Sequence, residues 1–431
     1  MALKPLSRSV SIIGVGATQF GTPFDTPELK DLSFQDMGAW AVLDAFQDAG
    51  VNPREVDHLI FGSTSSPLNN SMNISPHHGF LEWVGMKGKS ANYQVAGCAT
   101  GFQIINQAID MVAGGRADIV VAVNVEINQS ITHPEKPSHI RYPFSEFKNL
   151  YGFPANHGTN GVDTSYARWV GSTFSQEDMV GRGYMRRAGI TQDELEDGCI
   201  GAVCTAREHG RLGTDTYLRQ TFDEVAKEYG FDSVEEYMKS DMDPYFSDMD
   251  RINYTGVMCE GAAALVFCAT DIAKKFRKKP IEVVNVAQCD YSVLTPNCIH
   301  HMNIGAAQKI YDITGCKPED IEYLSCTNMN QFEMLDACEA VGYMPQGEAW
   351  KYFRDGKTRF DREKPVNTDG GTQGTGHAYA STGLHNYKEA VLQMRGEAGD
   401  RQILTPPRTV MVRGEGAFHM TSIAILRTVE D

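Results

Sequence analysis

No two of the chain's ten cysteines stand at the C-x-x-C spacing, although they are spread through 431 residues. That spacing argues against a zinc site built within the chain, and the length argues against a disulfide framework. The ten read as reduced thiols, most of them packed as small hydrophobes. Long apolar runs are missing as well. The first, Val10 to Val15, is broken by Gly14 and is far too short to span a bilayer. The start also lacks a small-residue cleavage site, so it does not read as a secretory signal, and the expected compartment is the cytoplasm. Positive charge is in deficit, with 39 Lys and Arg against 55 Asp and Glu and a net charge of −16. A uniformly acidic chain repels phosphate backbones, which sets nucleic acid aside as a main partner. What remains is an ordinary globular composition, 42% apolar and 22% charged, at a length suited to two or three domains.

An internal duplication organises the chain. Ala49-Gly50-Val51-Asn52-Pro53-Arg54-Glu55-Val56-Asp57-His58-Leu59 recurs as Thr314-Gly315-Cys316-Lys317-Pro318-Glu319-Asp320-Ile321-Glu322-Tyr323-Leu324. Each copy reads as a helix stopped by Gly, a turn with Pro, and entry into a buried strand. A helix-period segment precedes each: Met37, Trp40, Ala41, Leu43 and Phe46 in one, Ile304, Ala307, Ile310 and Tyr311 in the other. Further on, Gly97-Cys98-Ala99-Thr100-Gly101 opens a helix along Phe102, Ile105, Ile109 and Val112, followed by a strand from Asp118 to Val123. In the second half Gly376-His377 opens a helix through Leu384, Tyr387 and Val391, and Thr409 to Val412 is strand-like. The alternation predicts an α/β fold of two similar halves with mostly parallel, buried sheets, and it places Cys98 and His377 at equivalent helix starts.

Residues 127–250 break the pattern, with Tyr142, Phe144, Phe147, Tyr151 and Phe153 among polar residues and a charged helical stretch from Ser175 to Ala188. They read as an inserted loop domain. The expected halves are then residues 1–126 with 251–270, and residues 271–431, with Gly256 to Phe267 as the strand that rejoins the core. Insertions of this size usually carry substrate contacts.

Cys98 lies at a glycine-flanked helix start, where unpaired N–H groups favour a thiolate nucleophile; a buried structural cysteine is the plainer reading. In Asp369-Gly370-Gly371-Thr372-Gln373-Gly374-Thr375-Gly376-His377 the backbone amides can line a cavity that ends in an imidazole. That imidazole suits polarising a carbonyl or deprotonating a thiol. No Lys-Ser/Thr pair follows the glycines, so the segment is not a P-loop. Cys98 and His377 together make a nucleophile with its activating base. His77-His78 and His300-His301 are expected in loops and do not read as metal ligands, since adjacent side chains diverge.

Four blocks carry a family resemblance: Val10 to Gly21, Ala96 to Gly101, Cys259 to Phe267, and Gly370-Gly-x4-Gly-His377. They resemble, in order and over residues 8–427, the thiolase superfamily, nearest its sterol-carrier-protein branch. The resemblance implies a five-layered α/β/α/β/α arrangement and acyl-coenzyme A substrates. It also implies coenzyme A as co-substrate, Cys98 as acyl carrier and His377 as its activator. Arg186 and Arg187 in the insertion, with Gly376 and Gly414, are then the expected coenzyme A contacts; the lysine- and arginine-rich run from Lys274 to Lys279 reads as a solvated face.

The chain departs from that family at the second acid/base. The usual Cys-x-Gly-Gly-Gly block is replaced by Val412-Arg413-Gly414-Glu415-Gly416, and the branch's His-Asp-Cys-Phe block by Cys326-Thr327-Asn328-Met329-Asn330-Gln331-Phe332. Cys326, Asn328, Asn330 and His419 are the candidates for the missing group; Asn328 and Asn330 equally suit helix caps. Aromatic, Met and Asn residues from Tyr323 to Tyr343 suit a bulky acyl chain. General likeness points to the group that cleaves benzoylsuccinyl-coenzyme A. Members of that group resemble thiolases that act with a small zinc-ribbon/OB-fold partner, so a homodimer with such a partner, and no metal in this chain, is the expectation. A retro-aldol carbon–carbon lyase and a non-catalytic acyl-CoA-binding subunit are the alternatives.

Overall fold

The computed structural model describes residues 3–64, 77, 79–127, 173–245, 247–291, 297–416 and 420–429. Its first half runs β1 (Val10–Ala17), α1 (Phe34–Ala49), β2 (His58–Gly62), β3 (Ser90–Gln94), α2 (Thr100–Ala113) and β4 (Ile119–Glu126). Helices α3 (Thr173–Ala188) and α4 (Gln192–Leu212) follow, before β5 (Gly261–Ala269). The second half runs β6 (Ile281–Asp290), α5 (Cys298–Thr314), β7 (Tyr323–Cys326), α6 (Gln331–Ala340), α7 (Ser381–Arg395), β8 (Thr409–Gly416) and β9 (Met420–Thr428).

The duplicated sequence folds as duplicated structure. Helix α1 ends at Gly50 and α5 at Gly315, both left-handed with φ of 69°. Each is followed by a short turn on its Pro, Pro53–Glu55 and Pro318–Asp320, and then by β2 or β7. Helix α1 is opened by a reciprocal cap in which Ser33 Oγ accepts from Asp36 N (3.1 Å) and the Asp36 carboxylate accepts from Ser33 N (2.9 Å). The buried faces differ in detail from the expected ones. Leu43 and Ile304 lie outside, because Met37, Ala41 and Ala45 on α1 and Met302, Ala306 and Ile310 on α5 sit at the tighter i, i+4 spacing that meets the sheet. His300 and His301 lie inside α5, not in a loop.

The nine strands of the described residues form one sheet in the order β3-β2-β4-β5-β1-β6-β9-β8-β7. The halves join through a short antiparallel contact between Val10–Ile12 and Ile281–Val283. Only β2–β3, β2–β4 and β7–β8 pair in parallel; β1–β5, β4–β5, β6–β9 and β8–β9 are antiparallel. The expectation of mostly parallel pairing is thereby corrected. A parallel pair needs a crossover, whereas a hairpin such as β8–β9 needs only a turn.

Three apolar layers separate helices from strands. Helix α1 packs on the outer face of the first five strands through Ile13, Leu59, Phe61, Val121 and Val266. Helices α2 and α7 lie between the halves, meeting Ile12, Val120 and Leu265 on one side and Val410, Val412 and Leu426 on the other. Helices α5 and α6, with α3 and α4, cover the far face through Leu324, Met411, Ile423 and Ile425. With the two halves of the one sheet as its strand layers this is helix, strand, helix, strand, helix, and its central layer brings the starts of α2 and α7 together. A Cβ on Gly101 would stand 2.1 Å from the Ala380 carbonyl oxygen, and one on Gly383 would stand 2.9 Å from the Phe102 ring.

Candidate active site

The turn before α2 is held from three sides. Gly97 is left-handed (φ 57°). Its carbonyl accepts from Thr64 Oγ1 (2.8 Å) and Thr100 Oγ1 (2.7 Å), and Thr100 Oγ1 also accepts from Ala96 N (2.7 Å). Cys98 is thus fixed two residues ahead of the first helical turn, and it is buried. Burial, then the charges of Glu126, Glu415 and Glu333, push its thiol up to about 12. The expected thiolate is therefore corrected to a protonated thiol at rest, because desolvation, with the charge of Glu126 next, outweighs the helix start. Glu126 is itself anchored at the seam between the halves: its Oε1 accepts from Thr64 N and Asn124 Nδ2, both at 2.8 Å. Asn124 Nδ2 also reaches Ser381 Oγ (3.0 Å), the first residue of α7.

His377 lies four residues before α7, not at its first turn. It sits in a bridge beside Met258, donating from its N–H to the Val257 carbonyl (2.7 Å) and accepting at its carbonyl from Cys259 N (3.1 Å). Gly376 makes that approach possible, since it is left-handed (φ 95°) and a Cβ there would meet Cys259 Sγ at 2.6 Å. The imidazole is buried, Nδ1 is 3.4 Å from Thr382 Oγ1, and Nε2 has no hydrogen-bond partner among the described residues. Burial draws it down to about 4, so it is neutral and can take a proton.

The glycine segment that ends in His377 is braced by buried ions. His385 bridges Asp369 and Asp215, each at 3.0 Å, and Lys388 holds Asp215 at 2.6 Å. Burial alone would lower His385, but Asp215 and Asp369 raise it overall. Asn328 Oδ1 accepts from Asn367 Nδ2 (3.3 Å) and Thr372 N (3.4 Å), and its carbonyl accepts from Thr372 Oγ1. Asn330 caps α6, its Oδ1 accepting from Phe332 N (2.8 Å) while Nδ2 donates to Asp250 (2.8 Å). Cys326 exchanges hydrogen bonds with Asn367 through its backbone, and burial pushes its thiol up to about 11.

The coenzyme A expectations divide. Arg186 is exposed on α3, whereas Arg187 is ion-paired with Asp336, which also accepts from His300 Nδ1 (2.8 Å). Gly414 is a packing position, because a Cβ there would stand 1.9 Å from Phe102. His419, His78 and the aromatic run Tyr142 to Phe153 lie outside the described residues.

Several groups escaped the sequence reading. Arg413 is fully buried and ion-paired with Glu415, and Glu177 and Glu333 lie buried beside them. One available signal was the acids Glu333, Asp336 and Glu339 three residues apart on α6, all ten of whose residues are buried.

A family model described as thiolase, N-terminal domain, matches residues 10–150, and one described as thiolase C-terminal domain-like matches residues 295–428. An acetyl-CoA acetyltransferase of Methanothermobacter thermautotrophicus is 28% identical over 410 residues, covering 92% of this chain and 93% of that one. The benzoylsuccinyl-CoA thiolase subunit BbsB of Thauera aromatica is 25% identical, covering 95% of each. Among solved structures, the Ltp2-ChsH2(DUF35) aldolase superposes with a TM-score of 0.72 at 20% identity over 98% of both chains. Human mitochondrial 3-ketoacyl-CoA thiolase in complex with CoA superposes at 0.66 with 16% identity, covering 99% of this chain and 100% of that one.

Proposed function

The chain belongs to the thiolase superfamily, and from that premise we propose that it is an acyl-CoA acyltransferase that cleaves a β-ketoacyl thioester with coenzyme A through an acyl-Cys98 intermediate. The observation that carries this reading is the meeting of the Cys98 turn with the segment around His377, where Gly101 lies against the Ala380 carbonyl. A protonated thiol and a neutral imidazole make a competent resting pair. As Cys98 Sγ attacks the keto carbonyl its proton passes to His377, the carbon–carbon bond breaks, and coenzyme A then takes the acyl group from sulfur. No metal is needed for these steps.

The name of BbsB supports a bulky aromatic acyl chain, with benzoylsuccinyl-CoA as the first substrate to try. Its naming as a subunit, and the two-component name of the aldolase, support a second protein such as a zinc-ribbon/OB-fold subunit. A homodimer is supported by β3, the last strand of the sheet among the described residues. Residues 127–250 are read as the inserted lobe between the two halves. Ten cysteines, none in a disulfide, fit the cytoplasm, and no helix of the described residues is long and apolar enough to cross a membrane.

Cys98→Ala is expected to lower coenzyme A-dependent cleavage by at least about a thousandfold while leaving the melting temperature near that of the parent. The parent mixed with a β-ketoacyl thioester, without coenzyme A, is expected to gain one acyl mass on the peptide that contains Cys98. The likeness to an aldolase favours one rival, retro-aldol cleavage. Full cleavage by Cys98→Ala with no adduct on the parent would establish that rival instead.

A further inference from the structure

Three buried carboxyls converge where the family's second cysteine is missing. Glu177 comes from α3, Glu333 from α6 and Glu415 from the end of β8, and all three are sealed from solvent. Glu177 is raised by Glu333 and Glu415, and Glu333 by Glu415, so the three carboxyls lie close enough to act on one another. Like charges this close disfavour one another, so the three do not all ionise together. Among the described residues both Glu177 oxygens, Glu333 Oε1 and Glu415 Oε1 have no hydrogen-bond partner, whereas Glu333 Oε2 is fixed by Met329 N at 3.1 Å. Among the described residues the cation paired within the group is Arg413. Arg413 is ion-paired with Glu415, and its remaining donors go to Asn303 Oδ1 (2.9 Å) and the Thr327 carbonyl (2.7 Å). Three carboxyls around one guanidinium are neutral only when two of them hold protons, and burial holds Glu177 and Glu333 well above the usual carboxylate range.

This group lies within electrostatic reach of the nucleophile. Glu415 and Glu333 both raise the Cys98 thiol, and both raise Cys298 at the start of α5. The glycines on either side of Glu415 press on the Cys98 helix: a Cβ on Gly416 would stand 2.2 Å from the Ala99 Cβ, and one on Gly414 would overlap Phe102. The end of β8 therefore connects the acids to the turn that carries the thiol.

We propose that Glu333 is the second proton-transfer residue of the site, filling the role left empty by the missing cysteine, with Glu177 and the Glu415–Arg413 pair as positioning residues. The inference rests on the thiolase reading above. In cleavage, Cys98 Sγ bonds to the keto carbon and the carbon–carbon bond breaks toward the thioester. Its electron pair takes the proton of Glu333, leaving a carboxylate. That carboxylate then takes the thiol proton of coenzyme A as its sulfur attacks acyl-Cys98, and His377 returns its proton to the released cysteine. Protons and electrons balance with no further reactant.

The test separates the two readings by separating the half-reactions. Acylation of Cys98 by acetyl-CoA, read by mass, needs the thiol and His377. Exchange of the acetyl α-protons of acetyl-CoA with D2O needs the second base. Glu333→Gln, of nearly the same shape, is expected to keep acylation within about threefold and to lose α-proton exchange by about a hundredfold or more. Glu333→Asp is expected to restore part of the exchange with a displaced pH profile. Exchange by Glu333→Gln within threefold of the parent would overturn the proposal. So would loss of both half-reactions in that variant without rescue by Glu333→Asp, which would make Glu333 a structural residue. A parent that never acylates Cys98 would instead sink the thiolase reading itself.

Discussion

At Cys98 two effects compete. A helix start returns at most about 2 kcal/mol to a nearby anion. Burial and the neighbouring carboxylates instead raise the thiol from an ordinary 9.0 to about 12, a penalty of about 4 kcal/mol on the thiolate. Desolvation wins, and reactivity has to come from proton transfer during attack. Alkylation of Cys98 by iodoacetamide is therefore expected to be slow at pH 7 and to climb tenfold per pH unit to pH 10 with no plateau, followed on its tryptic peptide. A plateau between pH 7 and 8 would mean a stable thiolate and would overturn this account. The position of the thiol was legible in the sequence, since Gly97 and Gly101 mark a tight turn into a helix. Its protonation state was not, because it depends on Glu126, Glu333 and Glu415, which are distant along the chain.

Among the elements, the crossing of α2 and α7 fixes the site. Ala is the better helix former by about 1 kcal/mol, so Gly101→Ala would stabilise an isolated α2. In the fold its Cβ meets the Ala380 carbonyl at 2.1 Å, and a backbone oxygen cannot swing aside. Overpacking of this kind costs about 1–3 kcal/mol, so the variant is expected to melt several degrees lower and to lose acylation as the α7 start is pushed from the Cys98 turn. A higher melting temperature with activity intact would show that the two starts are not in contact. Element order was readable because Gly and Pro punctuate it at Gly50, Pro53, Gly315 and Pro318. The boundary of α7 was not: Gly376 suggested a helix start, yet the chain first makes a bridge with Met258, a long-range pairing that no local pattern announces. Helix α6 was hidden for a similar reason, since it is buried on all faces while periodicity reads only one-sided helices.

Over the whole molecule, buried ionisable groups set how stability varies with pH. His377 and His209 are both drawn down to about 4 by burial. His209 is held neutral between the Asn367 carbonyl (2.9 Å) and Phe360 N (3.1 Å). An unfolded histidine takes its proton near 6.5, so these two remove stability as pH falls from 6.5 toward 4. Asp250 acts in the opposite sense. Burial holds it well above the ordinary 3.8, with Asp178 and Asp243 adding to the shift and the Asn330 hydrogen bond opposing it. Above 3.8 the unfolded chain has released a proton that the folded one retains, so stability is lost as pH rises toward the folded value. Asp250→Asn keeps the shape and an oxygen for Asn330 Nδ2 but removes the titration. Its melting temperature is expected to match the parent near pH 4 and to exceed it by a growing margin toward pH 8, measured by calorimetry across that range. A gap that stayed constant with pH would mean that Asp250 is already ionised in the fold, leaving the carboxyl packed against the α6 cap as an anion.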